Sequence, residues 1–236
     1  MTFKTKGIVL KRTNFGEADR ILTILTRDRG KIKVIAKGVR KIKSKLAGSL
    51  ELFCLTDLLI AEGRSLDIVC GAQIQKSYMN LRKNFGPTST TYFLAEIIDK
   101  NFDENQKNEE IFDLLLACLE QLNLKNEPLI LPYFQINFLA DTGFLPELHQ
   151  CIKCSGKITP QNNHFNFDGG LTCEKCAEGY TIEDETIKLL RLFLSHRLAS
   201  ILTINVNQKV LAELKHIITY YYKNIHPEKI NSERFV

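Results

Sequence analysis

The sequence predicts an α+β, multidomain protein in which an N-terminal β-barrel precedes an α-helical region that carries an inserted four-cysteine module. Short apolar runs of strand character extend to about residue 77, and apolar residues at helical spacing follow. Two Cys-x2-Cys pairs, eighteen residues apart, lie between two of the predicted helices. We therefore expect a barrel over residues 1–80, a helical domain over residues 81–148 and 180–236, and the module over residues 149–179.

Five apolar runs predict the strands of the barrel, and they read KGIVLKR, RILTILTR, KIKVIAKG, LELFCLTDLLIAE and LDIVCGAQI. Gly30 and Gly63 lie in short turns between runs, as expected of hairpin connections. So many strands in a short segment favour a small closed barrel. In the third run, apolar residues alternate with lysines, so one face packs inward and the other stays exposed and positively charged. That exposed face is expected to carry Lys31, Lys33 and Lys37.

The helical region follows a break at NFGPTST. TYFLAEIIDKNF and EEIFDLLLACLEQL place apolar residues at helical spacing. A third helix is predicted to start at Pro132, which suits a first turn, and to end near Gly143, which suits a C-terminal cap. Two further helices are predicted over residues 183–197 and 207–225.

Length and composition place the chain among ordinary globular proteins, since 236 residues with 44% hydrophobic content can fill a sizeable core. The stretch MTFKTKGIVLKRTNFGE lacks the apolar core of a signal peptide, and no apolar run approaches the ~20 residues of a membrane helix. We therefore expect a cytoplasmic protein. In a reducing compartment, its seven cysteines are better explained as thiols or metal ligands than as disulfides.

The most specific motif is the pair CIKC and CEKC, because a two-residue gap lets both thiolates of each pair bind one ion. Four thiolates would complete a closed structural zinc site, with no open position for a water or a substrate. Bound iron, or four unliganded thiols, is the alternative. The predicted ligands are Cys151, Cys154, Cys173 and Cys176.

The other cysteines and the neighbouring histidines are expected to have different roles. Cys54, Cys70 and Cys118 lie inside apolar runs, where a cysteine behaves as a small hydrophobic residue, so all three are predicted to pack. His149 and His164 adjoin the four-cysteine set, but four sulfurs already satisfy zinc. We therefore expect both histidines to be surface residues.

The charge of the chain is distributed unevenly. Up to Lys83 there are 18 Lys and Arg against 7 Asp and Glu, a net charge of +11, whereas the remainder has 14 against 20, a net charge of −6. The stretch RDRGKIKVIAKGVRKIKSK, residues 27–45, contains nine of the basic residues. Such clustering predicts a nucleic-acid surface. A solvated sheet edge is the simpler alternative, and a membrane surface is disfavoured because no amphipathic helix with an aromatic face adjoins the stretch.

Aromatic residues are scarce in the predicted barrel, which has no Trp and only three Phe, at positions 3, 15 and 53. Two of the three are expected in the core. Single-strand binders that stack bases need aromatic platforms. The sequence therefore predicts a surface that holds phosphates without reading base sequence.

The stretches GEADRI, TRDRGKI and AKGVRK resemble the N-terminal signature of the RecO family of bacterial recombination mediators. Further along, FQINFLADTGFLPELHQCIKC followed by FNFDGGLTCEKC is similar to the family's helix and zinc module, and the ending ERFV also matches. The likeness covers essentially the whole chain, and the N-terminal block is its most specific part.

The resemblance implies an oligonucleotide-binding (OB) barrel, a helical domain with an inserted zinc module, and a role without catalysis. RecO proteins bind single- and double-stranded DNA, anneal complementary strands and, with RecR and in many species RecF, load RecA onto strands coated by single-strand-binding protein (SSB). This role implies a cytoplasmic, nucleoid-associated location. Combined with the basic stretch, the matching block predicts ten phosphate contacts, namely Arg12, Arg20, Arg27, Lys31, Lys33, Lys37, Arg40, Lys41, Lys43 and Lys45.

The resemblance also implies a docking site for the acidic C-terminal tail of SSB on the helical domain. No compact motif locates that site in this sequence. Lys188, Arg191 and Arg197, on the fourth predicted helix, are candidate anchors for the peptide.

Two other functions compete with this interpretation. A nuclease would need clustered carboxylates, but the acids of the barrel follow no ligand spacing, and Glu17 and Asp19 are better explained as turn residues. The sequence also lacks a GxxxxGK[ST] phosphate loop, so we expect no enzymatic activity. An RNA-binding or ribosome-associated zinc protein is the other alternative, since small barrels and four-cysteine modules occur in that class too.

Overall fold

The computed structural model describes residues 1–226 and 230–232, and the chain divides into two compact units. The first unit consists of residues 1–126 together with residues 230–232, and the second consists of residues 127–226. The predicted helical domain therefore contributes to both units. The ending ERFV lies outside the described residues.

The first unit contains a closed five-stranded barrel, as predicted. Around the barrel the strands follow the order β1-β2-β3-β5-β4, and every neighbouring pair is antiparallel except β3 with β5. A five-stranded barrel with this crossover is an OB-fold. Its strands are β1 (Thr2–Phe15), β2 (Asp19–Thr26), β3 (Gly30–Ala36), β4 (Leu55–Ala61) and β5 (Asp67–Lys76).

Alternation along the strands fills the barrel interior with aliphatic side chains, among them those of Leu22, Ile24 and Val34, which are fully buried. Strand β1 pairs with β4 along its first part and with β2 along its second part, and the two pairings overlap at Gly7 and Ile8. A Cβ atom at Gly7 would lie 2.5 Å from Ile24 Cγ2. The absence of a side chain is therefore what lets β1 pass so close to β2.

Three helices complete the first unit, and they are α1 (Asn80–Lys83), α2 (Phe85–Asn101) and α3 (Glu109–Leu124). The short helix α1 was not predicted. The predicted break at NFGPTST lies mostly inside α2, because a proline such as Pro87 is tolerated in a first helical turn. The later part of α2, and α3, match the two runs of helical spacing. Helix α3 begins after Asn108, whose side-chain oxygen accepts a hydrogen bond of 2.9 Å from the backbone N–H of Ile111. This N-cap satisfies one of the amides that a helix start leaves unpaired.

Residues 230–232 contact α2 through Glu96. The Glu96 carboxylate accepts hydrogen bonds from the backbone N–H and side chain of both Asn231 and Ser232. Burial alone would raise the pKa of Glu96, but these bonds and the neighbouring Lys100 lower it from 4.5 to about 2. The carboxylate thus remains charged and holds this segment on the helix.

The second unit is helical outside the cysteine module. Helix α4 includes Pro132 in its first turn and ends before Gly143, where φ is +83° and the N–H donates to the Ala140 carbonyl. Both boundaries lie within two residues of the predicted ones. The helices are α4 (Ile130–Asp141), α5 (Asp184–Ser195), α6 (Leu198–Ile201) and α7 (Gln208–Ile225).

The module contains a hairpin, formed by β6 (His164–Asn166) and β7 (Gly170–Thr172). A third short strand, β8 (Tyr180–Thr181), pairs with the other edge of β6. Phe165 and Leu171 are buried beneath this small sheet. Within the part of the chain that the structure describes, no helix has the length and apolar character needed to cross a membrane.

Candidate metal centre and nucleic-acid interface

The two Cys-x2-Cys pairs come together at one point of the second unit. All four Sγ atoms lie within 4.8 Å of one another, and those of Cys154 and Cys173 are 3.7 Å apart. A tetrahedron with Zn–S bonds of ~2.3 Å has edges of ~3.8 Å. The donor set and its spacing therefore fit a single tetrahedral metal ion bound by four sulfurs.

Each cysteine pair lies in a turn of the same form. The N–H of Ser155 donates to the Cys151 carbonyl at 2.8 Å, and the N–H of Ala177 donates to the Cys173 carbonyl at 2.9 Å. Ser155 and Ala177 both have left-handed backbone conformations, with φ of 58° and 36°. Each turn thus places a left-handed residue directly after its second cysteine, and this repeated geometry lets both pairs present their sulfurs to one centre.

The thiols of the cluster have strongly shifted pKa values. Burial would raise the pKa of Cys151, but backbone N–H groups of Cys173, Cys154 and Lys153 that donate to its sulfur lower it to about 6. Hydrogen bonds with Cys151 and Cys154 raise the pKa of Cys176 to about 12. Thiols packed this closely share protons, and a bound cation would replace those protons.

The remaining cysteines and histidines mostly follow the predictions. The candidate ligand group found among the described residues contains neither His149 nor His164. Cys54 and Cys118 are buried, and burial raises the pKa of both thiols. The packing prediction for Cys70 is wrong, because Cys70 is exposed. Strand alternation turns its side chain outward, since the preceding residue of β5 faces the core.

Five of the ten predicted phosphate contacts lie together on one exposed loop. This loop, residues 37–45, follows β3 and is called the basic loop below. No ion pair joins its cations to any other residue in the described ranges, so their positive charges are unmatched. These five residues are Lys37, Arg40, Lys41, Lys43 and Lys45.

The other five predicted contacts are paired with acids of the same unit, at N···O distances between 2.6 and 3.9 Å. Most of these pairs are partly exposed, where a single ion pair contributes about 0–1 kcal/mol. Their charge is nevertheless partly neutralised before any polyanion approaches. The pairs are Arg12 and Arg20 with Glu51, Arg27 with Glu109 and Asp113, Lys31 with Asp99, and Lys33 with Glu104.

Lys31 also contradicts the prediction that its face of β3 is exposed, since only 6% of the residue is accessible. Its Nζ atom lies 3.5 Å from Asp99 Oδ1 and donates to the Asp99 carbonyl. A β-bridge between Lys31 and Glu104 covers the same end of the strand. A buried, paired ammonium is expensive to separate from its partner, which makes Lys31 a poor phosphate contact.

The basic loop is held against the turn between β1 and β2. Asp19 Oδ1 accepts a hydrogen bond of 2.7 Å from the N–H of Gly38. The backbone N–H of Arg40 donates to the Ala18 carbonyl at 2.9 Å, and its Nη1 donates to the Gly16 carbonyl at 3.2 Å. The sequence indicated that Asp19 lies at a turn, and it is the first residue of β2, but no sequence signal showed that it anchors a loop nineteen residues away.

The three phenylalanines of the barrel lie in different environments. Phe53 is buried, and Phe3 is half-buried with the Arg29 guanidinium 3.8 Å from the centre of its ring. Phe15, at the end of β1, is 52% exposed. The expectation that two of the three belong to the core is thus met fully by Phe53 and in part by Phe3.

The three candidate peptide anchors are not equivalent. Arg191 donates from Nε to the Leu148 carbonyl at 2.9 Å, so its guanidinium already has a structural role. Arg197 is exposed just before α6. Lys188 lines a groove of about 430 Å³ whose apolar lining includes Leu189, Leu192, Ile204, Val206 and Val210.

The OB barrel, the unmatched cationic loop and the four-sulfur cluster define a class of protein, namely OB-fold proteins with a basic surface suited to nucleic acid and a cysteine cluster suited to a metal ion. Comparison with known families specifies this class further. The family model described as "Recombination protein O N terminal" matches residues 1–78, and "Recombination protein O C terminal" matches residues 82–234. The division between the two matches falls close to the predicted end of the barrel at residue 80.

Curated relatives agree with the family models. A protein named "DNA repair protein RecO" from Dehalococcoides mccartyi strain CBDB1 is 38% identical over 218 residues, which are 90% of this chain and 86% of the relative. Proteins of the same name from Caldicellulosiruptor bescii and Bacillus subtilis strain 168 are 34% and 30% identical, over 94% and 100% of this chain and 92% and 94% of the relatives. The chain belongs to the RecO family, and its role is in DNA repair and recombination.

Proposed function

We propose that this protein is a non-catalytic recombination mediator that binds the backbones of single- and double-stranded DNA and anneals complementary strands. The single observation that carries the proposal is the basic loop, whose five cations have no acidic partner among the described residues. Phosphates supply the missing negative charge, and family membership supplies DNA as the source of the phosphates.

Annealing follows from how such a surface acts on two strands. Each strand repels its complement through its phosphates, and cations that hold both backbones reduce this repulsion. A loop of lysines and arginines contacts backbones without covering the base edges, so base pairing can proceed. If five phosphates are neutralised, the logarithm of single-strand affinity falls with the logarithm of salt concentration with a slope of about −3.5.

The proposed partners follow the family. RecR, and RecF where it is used, would act with this protein to load RecA onto SSB-coated strands at the nucleoid, in the cytoplasm. The groove beside Lys188 combines that cation with apolar side chains and with the carboxylate of Glu185, and its cation and apolar lining are the features that suit the acidic C-terminal tail of SSB. In the second unit, Cys151, Cys154, Cys173 and Cys176 would hold zinc as a structural ion, since four sulfurs leave no open ligand position.

The deciding experiment is annealing of two complementary fluorescent oligonucleotides, with and without SSB, at low and moderate salt and with no nucleotide. The wild-type protein should accelerate annealing, and both oligonucleotides should remain uncut. Lys41→Glu combined with Lys43→Glu should abolish the acceleration and reduce the magnitude of the salt slope for single-strand binding by about 1.4. The matched control, Lys83→Glu with Lys215→Glu, makes the same change in net charge on exposed residues outside the basic loop and should anneal normally.

Three results would overturn the proposal. Loss of annealing in the control variant as well would mean that net charge alone matters, and cleavage of the oligonucleotides would reveal an enzyme. Tight binding of a structured RNA hairpin with little affinity for single-stranded DNA would favour the alternative of an RNA-binding zinc protein.

A further inference from the structure

Two large apolar side chains in the region of the basic loop are exposed, so packing in the core does not explain their presence there. Phe15 is 52% exposed at the tip of the hairpin formed by β1 and β2. Ile42 is fully exposed and lies between Lys41 and Lys43. Within the barrel, aliphatic residues fill the interior, and Phe15 is the most exposed of the three phenylalanines, since Phe53 is buried and Phe3 is half-buried.

Phe15 lies beside unmatched positive charge. The guanidinium of Arg40 donates to the carbonyl of Gly16, the residue directly after Phe15, and the backbone of Arg40 is bonded to Ala18 in the same turn. Asp19, which pairs with Phe15 across the hairpin, binds the backbone of Gly38 at the start of the loop. These bonds hold the turn that follows Phe15 against the basic loop, which carries the proposed phosphate contacts.

We propose that Phe15 is a base-stacking residue, which packs its ring against an unpaired base of single-stranded DNA whose phosphates lie on the basic loop. Every base has a π-face, so this contact is independent of base sequence. In a duplex, neighbouring bases cover these faces. Phe15 therefore makes the surface prefer single strands, whereas the lysines and Arg40 bind either form. This inference rests on the proposed DNA binding and adds to it a residue that distinguishes the two forms of DNA.

The first test compares affinities. Phe15→Ala should weaken binding to a labelled thirty-nucleotide oligo(dT) by about fivefold or more, the lower end of what one stacked base contributes. Binding to a thirty-base-pair duplex should change by less than about twofold, and the salt slope should stay the same, because no phosphate contact is lost. Phe85→Ala, which truncates a phenylalanine that is 76% exposed at the start of α2, should leave both affinities unchanged.

The second test reports on stacking directly. The chain contains no tryptophan, so the Phe15→Trp variant has a single tryptophan, and its tryptophan fluorescence reports on this position alone. Its fluorescence should be quenched by oligo(dT) and unaffected by an abasic oligonucleotide of the same length, which has phosphates but no bases. Phe85→Trp should be insensitive to both. Thermal unfolding of each variant checks that the fold is retained.

The outcomes separate this inference from the proposed function. If the wild-type protein does not bind oligo(dT), the proposed function itself fails. If it binds, and the variant that combines Lys41→Glu with Lys43→Glu binds more weakly, but Phe15→Ala binds normally and Phe15→Trp is not quenched, the stacking role is wrong and phosphate binding stands. Equal quenching by the abasic oligonucleotide would also overturn it, since the change would then follow backbone binding alone.

Discussion

At the scale of single residues, the structure shows that the residues around a lysine in a basic stretch decide whether its charge is available to a ligand. Lys31 and Lys41 are ten positions apart in the same stretch, yet Lys31 is buried against Asp99 and Lys41 is exposed without an acidic partner among the described residues. Only an exposed lysine without an acidic partner, such as Lys41, can bind a phosphate without first losing a buried ion pair.

Substitution of Asp19 has two opposite predicted effects on DNA affinity, one from the lost charge and one from the lost hydrogen bond. Replacing Asp19 with Ala removes a negative charge near the basic loop, which by itself would strengthen DNA binding. It also removes the hydrogen bond to the Gly38 N–H, and bonds to charged groups contribute about 1.5–3 kcal/mol. We expect loosening of the loop to dominate, so Asp19→Ala should bind single-stranded DNA more weakly in a fluorescence anisotropy titration.

Glu17 is the matched control for this comparison, because it lies in the same turn and is exposed. Glu17→Ala removes the same charge and leaves the Gly38 bond intact, so its affinity should equal or exceed that of the wild-type protein. If Asp19→Ala also bound more tightly, the anchoring role assigned to Asp19 would be wrong.

At the scale of secondary-structure elements, local signals predicted most of what is observed. Short apolar runs identified the five strands, Gly143 identified the end of α4, and the spacing of the two Cys-x2-Cys pairs predicted that they come together. The short elements α1, α6 and β8 were not predicted. Two to four residues carry too little periodicity to be recognised, and such elements form because neighbouring segments hold them in place.

Strand β1 offers a prediction at this scale. Gly7→Ala would place a Cβ atom 2.5 Å from Ile24 Cγ2, a branch methyl of a stiff and fully buried side chain. Relief of this clash requires movement of β1 or β2, so we expect a loss of about 1–3 kcal/mol in the free energy of unfolding measured with urea. Gly48→Ala meets no atom within 4 Å and should change stability by less than about 0.5 kcal/mol. Equal stability of the two variants would contradict this account of the strand crossing.

At the scale of the whole molecule, the sequence revealed the charge asymmetry but not which acids pair with the basic residues of the barrel. The acids that pair with the barrel lie far along the chain, as with Arg27 and Asp113, which are 86 residues apart. Such pairs arise from tertiary packing and leave no local signal. The four-cysteine centre was predictable because its information is local, since each pair needs only a two-residue gap.

Removal of the metal is predicted to affect one unit and spare the other. We expect elemental analysis to give one zinc per chain for the wild-type protein and none for Cys151→Ser, whose thermal unfolding temperature should fall by about 5 °C or more. Hydrogen exchange should rise in β6 and β7 and stay unchanged in β1 to β3, which belong to the first unit. Cys70→Ser, which alters an exposed thiol outside the cluster, should retain metal and stability. Metal retained at full stoichiometry in Cys151→Ser would refute the ligand assignment.

The barrel forms ion pairs with acids at the end of α2, just after α2 and in α3. These pairs affect how the barrel can be studied as a separate fragment. These acids behave as built-in counter-ions, and they lie beyond residue 78, where the match to the N-terminal family model ends. A fragment cut at that boundary would keep Arg27, Lys31 and Lys33 and leave their anions behind. It would attract polyanions through a surface that the intact chain does not possess, so its affinity would overstate that of the natural protein.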